Sequence, residues 1–411
     1  MCGFFRAASW FMNLAINLRN GKTALLWILT RAALRSRGRT ANPVRNIPLC
    51  GSNVPCQSLG MNADSCHRRE FLSATLALTG AALVPGLTRA AESTRKITVG
   101  FLGISHSHFK EKHRLLANTD GWNLVGLCEE DASVRAQGPA GAQWLSAEEL
   151  FAKAEVVVIE SAVQHHARDA KRALLAGKHV HVEKPPADSM EGFRELMNLA
   201  AKNKRLLQVG YMWRYHPGLN AVMDAARQGW LGDVYLVRAT MNTSVGPEQR
   251  HEWAKFRGGA MFELGSHLID LVVRLLGKPI SVMPRLKHSS TMTDRLADNT
   301  VAVFEYPRAL AIITSSTLQP NAGPQRFFEV LGTNGTAKVQ PIEQPSLTIE
   351  LAKAAGPYAA GKQEVKLPAY RRYEDEFVAL GTAIREGTVL VFSTEEELNV
   401  QETLMRACEM T

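Results

Sequence analysis

From Lys96 onward the chain alternates between short apolar runs of strand length and longer segments whose apolar residues recur at helical spacing. Ile97 to Leu102, Leu124 to Cys128, Val156 to Ile159, His179 to Val182 and Leu206 to Val209 read as strands. Strands alternating with helices in this way predict a parallel sheet covered on both faces. Before the fifth strand, Asp188 and Glu191 are spaced like a capping box, and Phe193, Leu196, Met197 and Ala200 form one apolar stripe, so a helix is expected there.

The pattern changes at Tyr215 to Gly218, where Pro217 interrupts it. A helix (Leu219 to Gln228), a strand (Val234 to Asn242) and a second helix (Phe262 to Leu276) follow. Then strand-like segments succeed one another: Val301 to Glu305, Ala311 to Ser316, Arg326 to Leu331, Ala337 to Val339 and Leu347 to Leu351. Strands in unbroken succession predict a largely antiparallel sheet. From Tyr373 the pattern turns helical again.

Charge changes this picture only at the N-terminus. The formal net charge is +9, but the first 91 residues hold eleven Lys or Arg and two acids, which leaves 37 of each sign in the remainder. The folded part is neutral, so a nucleic-acid partner is not expected. Four of the six cysteines also fall in this leader; Cys128, in an apolar strand, is expected to be an inert buried thiol.

Within the leader, Arg68-Arg69-Glu70-Phe71-Leu72 precedes an uncharged run from Ser73 to Leu87 and then Thr88-Arg89-Ala90-Ala91. This reads as a twin-arginine export signal, with the export machinery as a partner and a periplasmic or otherwise exported location. Met61 stands seven residues before the arginine pair and is the expected start.

Chemistry gathers at the strand ends. The first strand runs into Gly103-Ile104-Ser105-His106-Ser107-His108, where a dinucleotide fold carries its glycine-rich turn. Gly103 permits the turn, and Ser105 is small enough for a pyrophosphate to approach the backbone. Glu129 ends the second strand, where a carboxylate accepts hydrogen bonds from the adenosine ribose and repels a 2′-phosphate. NAD is therefore expected ahead of NADP. His106, His108 and His113 lack partners at a recognised ligand spacing, and no metal is expected.

The fourth strand ends in Glu183-Lys184-Pro185, which brings a lysine to the ligand crevice, where it can hydrogen-bond a substrate hydroxyl. In the second helix beyond Pro217, Glu263, His267, Asp270 and Arg274 share one side, next to Leu264, Leu268, Leu271 and Leu275. A leucine-packed helix of this kind holds a general base rigidly over a cleft; the competing reading is a solvated, salt-bridged stripe.

Glu183-Lys184-Pro185, the upstream Ala173-Leu174-Leu175-Ala176-Gly177-Lys178-His179-Val180, and Gly258-Gly259 with Glu263, Leu264, Gly265, His267 and Asp270 together resemble the Gfo/Idh/MocA family of glucose-fructose oxidoreductases and inositol dehydrogenases. The resemblance runs from Ile97 almost to the end of the chain. It implies an α/β chain with an N-terminal Rossmann domain over residues 92–216 and a C-terminal α/β domain with a largely antiparallel open sheet over residues 217–411, behind a leader of residues 1–91.

It further implies that Lys184, His267 and Glu263 form the catalytic set. Gly103, Ser105, His108, Glu129, Glu183 and Lys184 form the cofactor site. The implied activity is hydride transfer between NAD(H) and a sugar or polyol, in a homo-oligomer built through the second sheet. NAD-dependent glycoside cleavage and a catalytically silent binding protein are the alternatives. The chain departs from the family pattern in three places: Ser105 and His108 replace the second and third fingerprint glycines, Glu263 replaces an aspartate, and Ser161 to His166 lacks the usual Pro-Asn pair. Trp213, Arg214, His216 and Trp253 are candidates for the substrate site.

Overall fold

A computed structural model describes residues 95–411. The twin-arginine segment and Met61 lie outside the described residues.

The first sheet is built from β1 (Ile97–Leu102), β2 (Trp122–Cys128), β3 (Val156–Ile159), β4 (His179–Val182) and β5 (Leu207–Val209). All pairs are parallel, in the order β2-β1-β3-β4-β5. Every residue of β3 is fully buried, which is why its sequence is an unbroken apolar run. The connecting helices include α1 (Phe109–Asn118), α2 (Ala132–Arg135), α3 (Ala147–Lys153), α4 (His166–Leu175) and α5 (Met190–Lys202). The strand order reverses at β1, so the crevice outside the carboxyl ends of β1 and β3 is where a ligand belongs. The expected cap of α5 is displaced by one residue. Ser189, and not Asp188, is its N-cap and accepts from the Gly192 amide at 3.2 Å.

Pro217 opens α6 (Pro217–Arg227) at its first turn, where the missing N–H costs nothing. Next come β6 (Val234–Thr240), α7 (Pro247–Trp253), a π-turn (Met261–Gly265) and α8 (Ser266–Leu276). The second sheet is completed by β7 (Ser281–Lys287), β8 (Asn299–Glu305), β9 (Leu310–Ser316), β10 (Phe327–Gly332), β11 (Gly335–Val339), β12 (Leu347–Leu351) and β13 (Gly361–Val365). Its order is β13-β12-β11-β10-β6-β9-β8-β7, antiparallel except for the β6–β9 pair.

One face of this sheet is buried: Val237, Ala239, Ala302, Phe304, Ala311 and Ile313 turn inward, under α6, α8 and α10 (Thr394–Ala407). The other face carries Leu236, Val301, Val303 and Ile312, and no helix among the described residues covers it.

The last two helices tie the molecule together. From α9 (Glu374–Glu386), Phe377 packs edge-on against Trp122 and lies 4.8 Å from His181, while Arg385 donates to the Gly121 carbonyl at 3.1 Å. Arg214, just past β5, bonds Asp270 of α8 and Glu397 of α10 in a buried ionic tie. Both cysteines among the described residues are buried, and burial pushes the Cys128 thiol up to about 11, as expected for an inert group.

Candidate active site

The turn after β1 is stitched to its neighbours by backbone bonds, from the Gly103 amide to Cys128 at 2.8 Å and from the His106 amide to Glu160 at 2.9 Å. Gly103 has φ +84°, and a Cβ there would overlap the backbone of Ser161. Only glycine can cross the tip of β3 in this way. Ser105 and Ser107 are exposed, on a cavity of about 510 Å³ whose walls run from Glu129 at the end of β2 to Trp253 and Glu263 in the second domain. The Glu129 carboxylate is fixed there by the Ile104 and Asp131 amides, each at 3.0 Å.

A glycine turn, small side chains and an oriented carboxylate beside a cavity of this volume fit a nicotinamide dinucleotide. Gly103, Ser105 and Glu129 are the residues that would hold it.

A smaller cavity of about 210 Å³ adjoins the first, and Glu263 and Trp253 line both. Lys184, His267, His108, Arg326 and Arg372 also line it. Lys184 comes from the end of β4 and His267 from the first turn of α8, so the two domains meet across this space. The Lys184 ammonium donates to the Glu263 carboxylate at 2.5 Å and to the Glu263 carbonyl at 3.0 Å. That carbonyl sits in the π-turn, a widened turn of a kind frequent at functional sites. Glu263, His267 and Asp270 are all buried, which removes the reading of a solvated stripe. Asp270 serves the tie to Arg214 and does not reach either cavity.

Three positions expected at the cofactor do not line the larger cavity: Lys184, which lines the smaller one, His108 and Glu183. The His108 side chain turns from the glycine loop toward Glu183 and lines the smaller cavity. Glu183 is fully buried and lines neither cavity; it binds His108 Nδ1 at 2.9 Å, the Lys184 amide at 2.9 Å, and Lys112. Among the substrate candidates, Trp213 packs on His267 with ring centroids 5.0 Å apart, and Trp253 lines both cavities. His216 instead bonds the Ile342 carbonyl and is structural.

Behind the cavities lies an ionic cluster that the sequence reading missed. Lys112 is fully buried among Glu160 at 2.9 Å, His181 at 2.8 Å, Glu183, and Glu376 at 3.8 Å. Its signal was a lysine on the apolar face of α1, between Phe109 and Leu116. Burial works against charge on Lys112, but the three glutamates hold its pKa above the usual range. His106 lies 3.5 Å from Glu160 and 3.8 Å from Glu263; burial opposes its charge too, yet Glu183, Glu160 and Glu263 hold it up at about 9.

Glu183 and Glu263 stay ionised despite burial, the first through Lys112 and the two histidines, the second mainly through Lys184. The Lys112 ammonium and protonated His106 thus sit among the carboxyl groups of Glu160, Glu183 and Glu263. Burial instead keeps His108 and His267 neutral: the first is pushed down to about 3, and the second is held well below the imidazole range with help from Lys184. Glu160, His181 and Glu183 stand close enough to share a metal ion, but the Lys112 ammonium already contacts all three.

Comparison with known proteins agrees with this architecture. Residues 97–211 match the oxidoreductase family "NAD-binding Rossmann fold" of GFO/IDH/MocA, and residues 219–338 match the GFO/IDH/MocA C-terminal domain. An inositol 2-dehydrogenase of Saccharopolyspora erythraea is 27% identical over 294 residues, 69% of this chain and 82% of that protein. An NADP-dependent scyllo-inositol 2-dehydrogenase of Bacillus subtilis is 24% identical over 278 residues, 62% of this chain and 76% of that one. The structure of an aldose-aldose oxidoreductase from Caulobacter crescentus shares the fold, with a TM-score of 0.64 at 19% identity over 77% of this chain and 98% of that chain. With both of its domains matched in sequence and a dinucleotide-fitting cavity at the sheet crevice, the chain belongs to the Gfo/Idh/MocA family and is an NAD(P)-dependent oxidoreductase.

Proposed function

We propose that this oxidoreductase acts on a hydroxyl of a sugar or polyol, with NAD preferred over NADP. The reading is carried by one observation: Lys184 and His267, from different domains, line the same small cavity next to the dinucleotide groove. The names of the inositol dehydrogenase relatives support a polyol substrate. When bound, the dinucleotide supplies the hydride acceptor.

The chain's own residues handle the proton. His267, neutral in its buried setting, accepts the proton of the reacting hydroxyl, and Lys184 donates a hydrogen bond that steadies the oxygen. Glu263 anchors the Lys184 ammonium and fixes where it points. Glu129 favours NAD, because its fixed carboxylate repels a 2′-phosphate.

The test is NADH formation by the purified protein with a panel of inositols and aldohexoses, alongside titration with NAD and NADP. On a substrate so found, His267→Ala and Lys184→Ala should each lower kcat by about 10² to 10⁴. Full turnover by His267→Ala would remove the proton-transfer role, and tighter binding of NADP than of NAD would remove the role of Glu129.

A further inference from the structure

We propose that His108 is a substrate-reading residue, which accepts a hydrogen bond from a second hydroxyl beside the one oxidised and so selects vicinal diols. The assignment rests on the carbohydrate reading above and adds to it a residue and a substrate class.

His108 stands where a dinucleotide fingerprint ordinarily carries its third glycine, so its imidazole is an addition to the fold's cofactor loop. The ring does not cap α1, and it lines the smaller cavity, away from the dinucleotide groove. Its ring centroid is 6.4 Å from that of His267, so two imidazoles flank the same space. Tyr373 packs on it at 5.2 Å, and the His106 ring meets it edge-on at 4.7 Å, which fixes its plane.

Glu183 decides its tautomer. The buried carboxylate can only accept, so Nδ1 carries the hydrogen, and Nε2 is left as an acceptor on a half-buried ring that lines the smaller cavity. Glu183 is itself pinned by Lys112, which makes the acceptor rigid. The neighbouring charges, Lys184 and protonated His106, disfavour a second proton on this ring. A fixed acceptor that cannot become a donor selects a hydroxyl, and one placed beside His267 selects the hydroxyl next to the reacting carbon. A substrate without that hydroxyl leaves Nε2 buried and unpaired, which the complex must bear as a penalty.

Three forms of the protein test this: wild type, His108→Asn and His108→Gly. Asparagine keeps an N–H for Glu183 but puts nothing in the place of Nε2. Glycine restores the usual fingerprint residue. The probes are inositols and aldohexoses with their mono-deoxy analogues, read by NADH formation and by binding calorimetry, with NAD affinity measured separately.

Wild type should prefer the diol over the analogue lacking the neighbouring hydroxyl by about 10- to 100-fold in kcat/KM, and both variants should lose that preference, largely through KM. NAD affinity should be retained in both. Turnover with the preference intact in His108→Asn overturns this assignment alone, as does a variant that loses NAD affinity and not diol affinity. Absence of both turnover and binding across the panel overturns the carbohydrate reading and this assignment with it.

Discussion

Single residues in this protein are set by their neighbours more than by their type. His106 and His108 are two positions apart, yet one is held protonated by three glutamates and the other neutral by burial. Glu376 is the clearest case. Both its oxygens are buried without a hydrogen bond, and burial raises its pKa to about 8, only partly offset by Lys112. In the unfolded chain it titrates near 4.5. Between those values the folded state binds the extra proton, so stability falls as pH rises from about 4.5 to about 8. Glu376→Gln removes that contribution and should flatten the decline of the unfolding free energy across this window. His106, raised from 6.5 to about 9, adds a decline of the same sign that the substitution leaves in place. Denaturant melts at several pH values measure the slope, and an unchanged slope in Glu376→Gln means that this carboxyl is already ionised in the folded protein.

At the level of elements, the strands of the first sheet were legible because each carries a short run of mostly buried, β-favouring residues, plainest in the fully buried Val156–Ile159; β3 and β4 have the expected bounds. The helix carrying His267 was legible from its leucine spacing. The π-turn that precedes it was not expected, since all five of its residues, Met261–Gly265, are buried and leave no apolar periodicity to read there. β7 and β13 at the edges of the second sheet were missed: edge strands are half solvated, and Pro284 and the polar run Gly361–Val365 dilute their alternation. The catalytic candidates were found because a motif carries them, whereas Lys112, Glu160 and Glu376 come together only in three dimensions.

The uncovered face of the second sheet bears on assembly. Met283, Val303 and Ile312 lie in one cross-strand row, and Leu236 pairs with Leu310 nearby. We infer that a second copy of the chain packs here, since a broad, partly apolar sheet face left open favours self-association. Light scattering should give a dimer or higher oligomer. Val303→Lys with Ile312→Lys should give a monomer with an unchanged far-ultraviolet spectrum, and a wild-type monomer would rule the interface out.

For the whole molecule, the twin arginines propose passage out of the cytoplasm in folded form. Arg68→Lys with Arg69→Lys should retain the protein in the cytoplasm, as fractionation and blotting would show; normal export of that variant would exclude this route. Among the described residues no helix is long and apolar enough to cross a membrane.

The return of α9 to the first sheet gives the molecule an order of assembly. Gly121 and Arg385 are 264 positions apart, and Trp122 receives Phe377 across a similar interval. During synthesis the parallel sheet emerges early, but the surface around Trp122 and His181 waits for residues near 377 to be made. Contacts of such sequence separation form late and slowly. The first domain therefore acts as a receptor for a distant stretch of its own chain. A chain stopped after the antiparallel sheet would show chaperones a bare apolar patch around Trp122 and His181, covered only when α9 has been made.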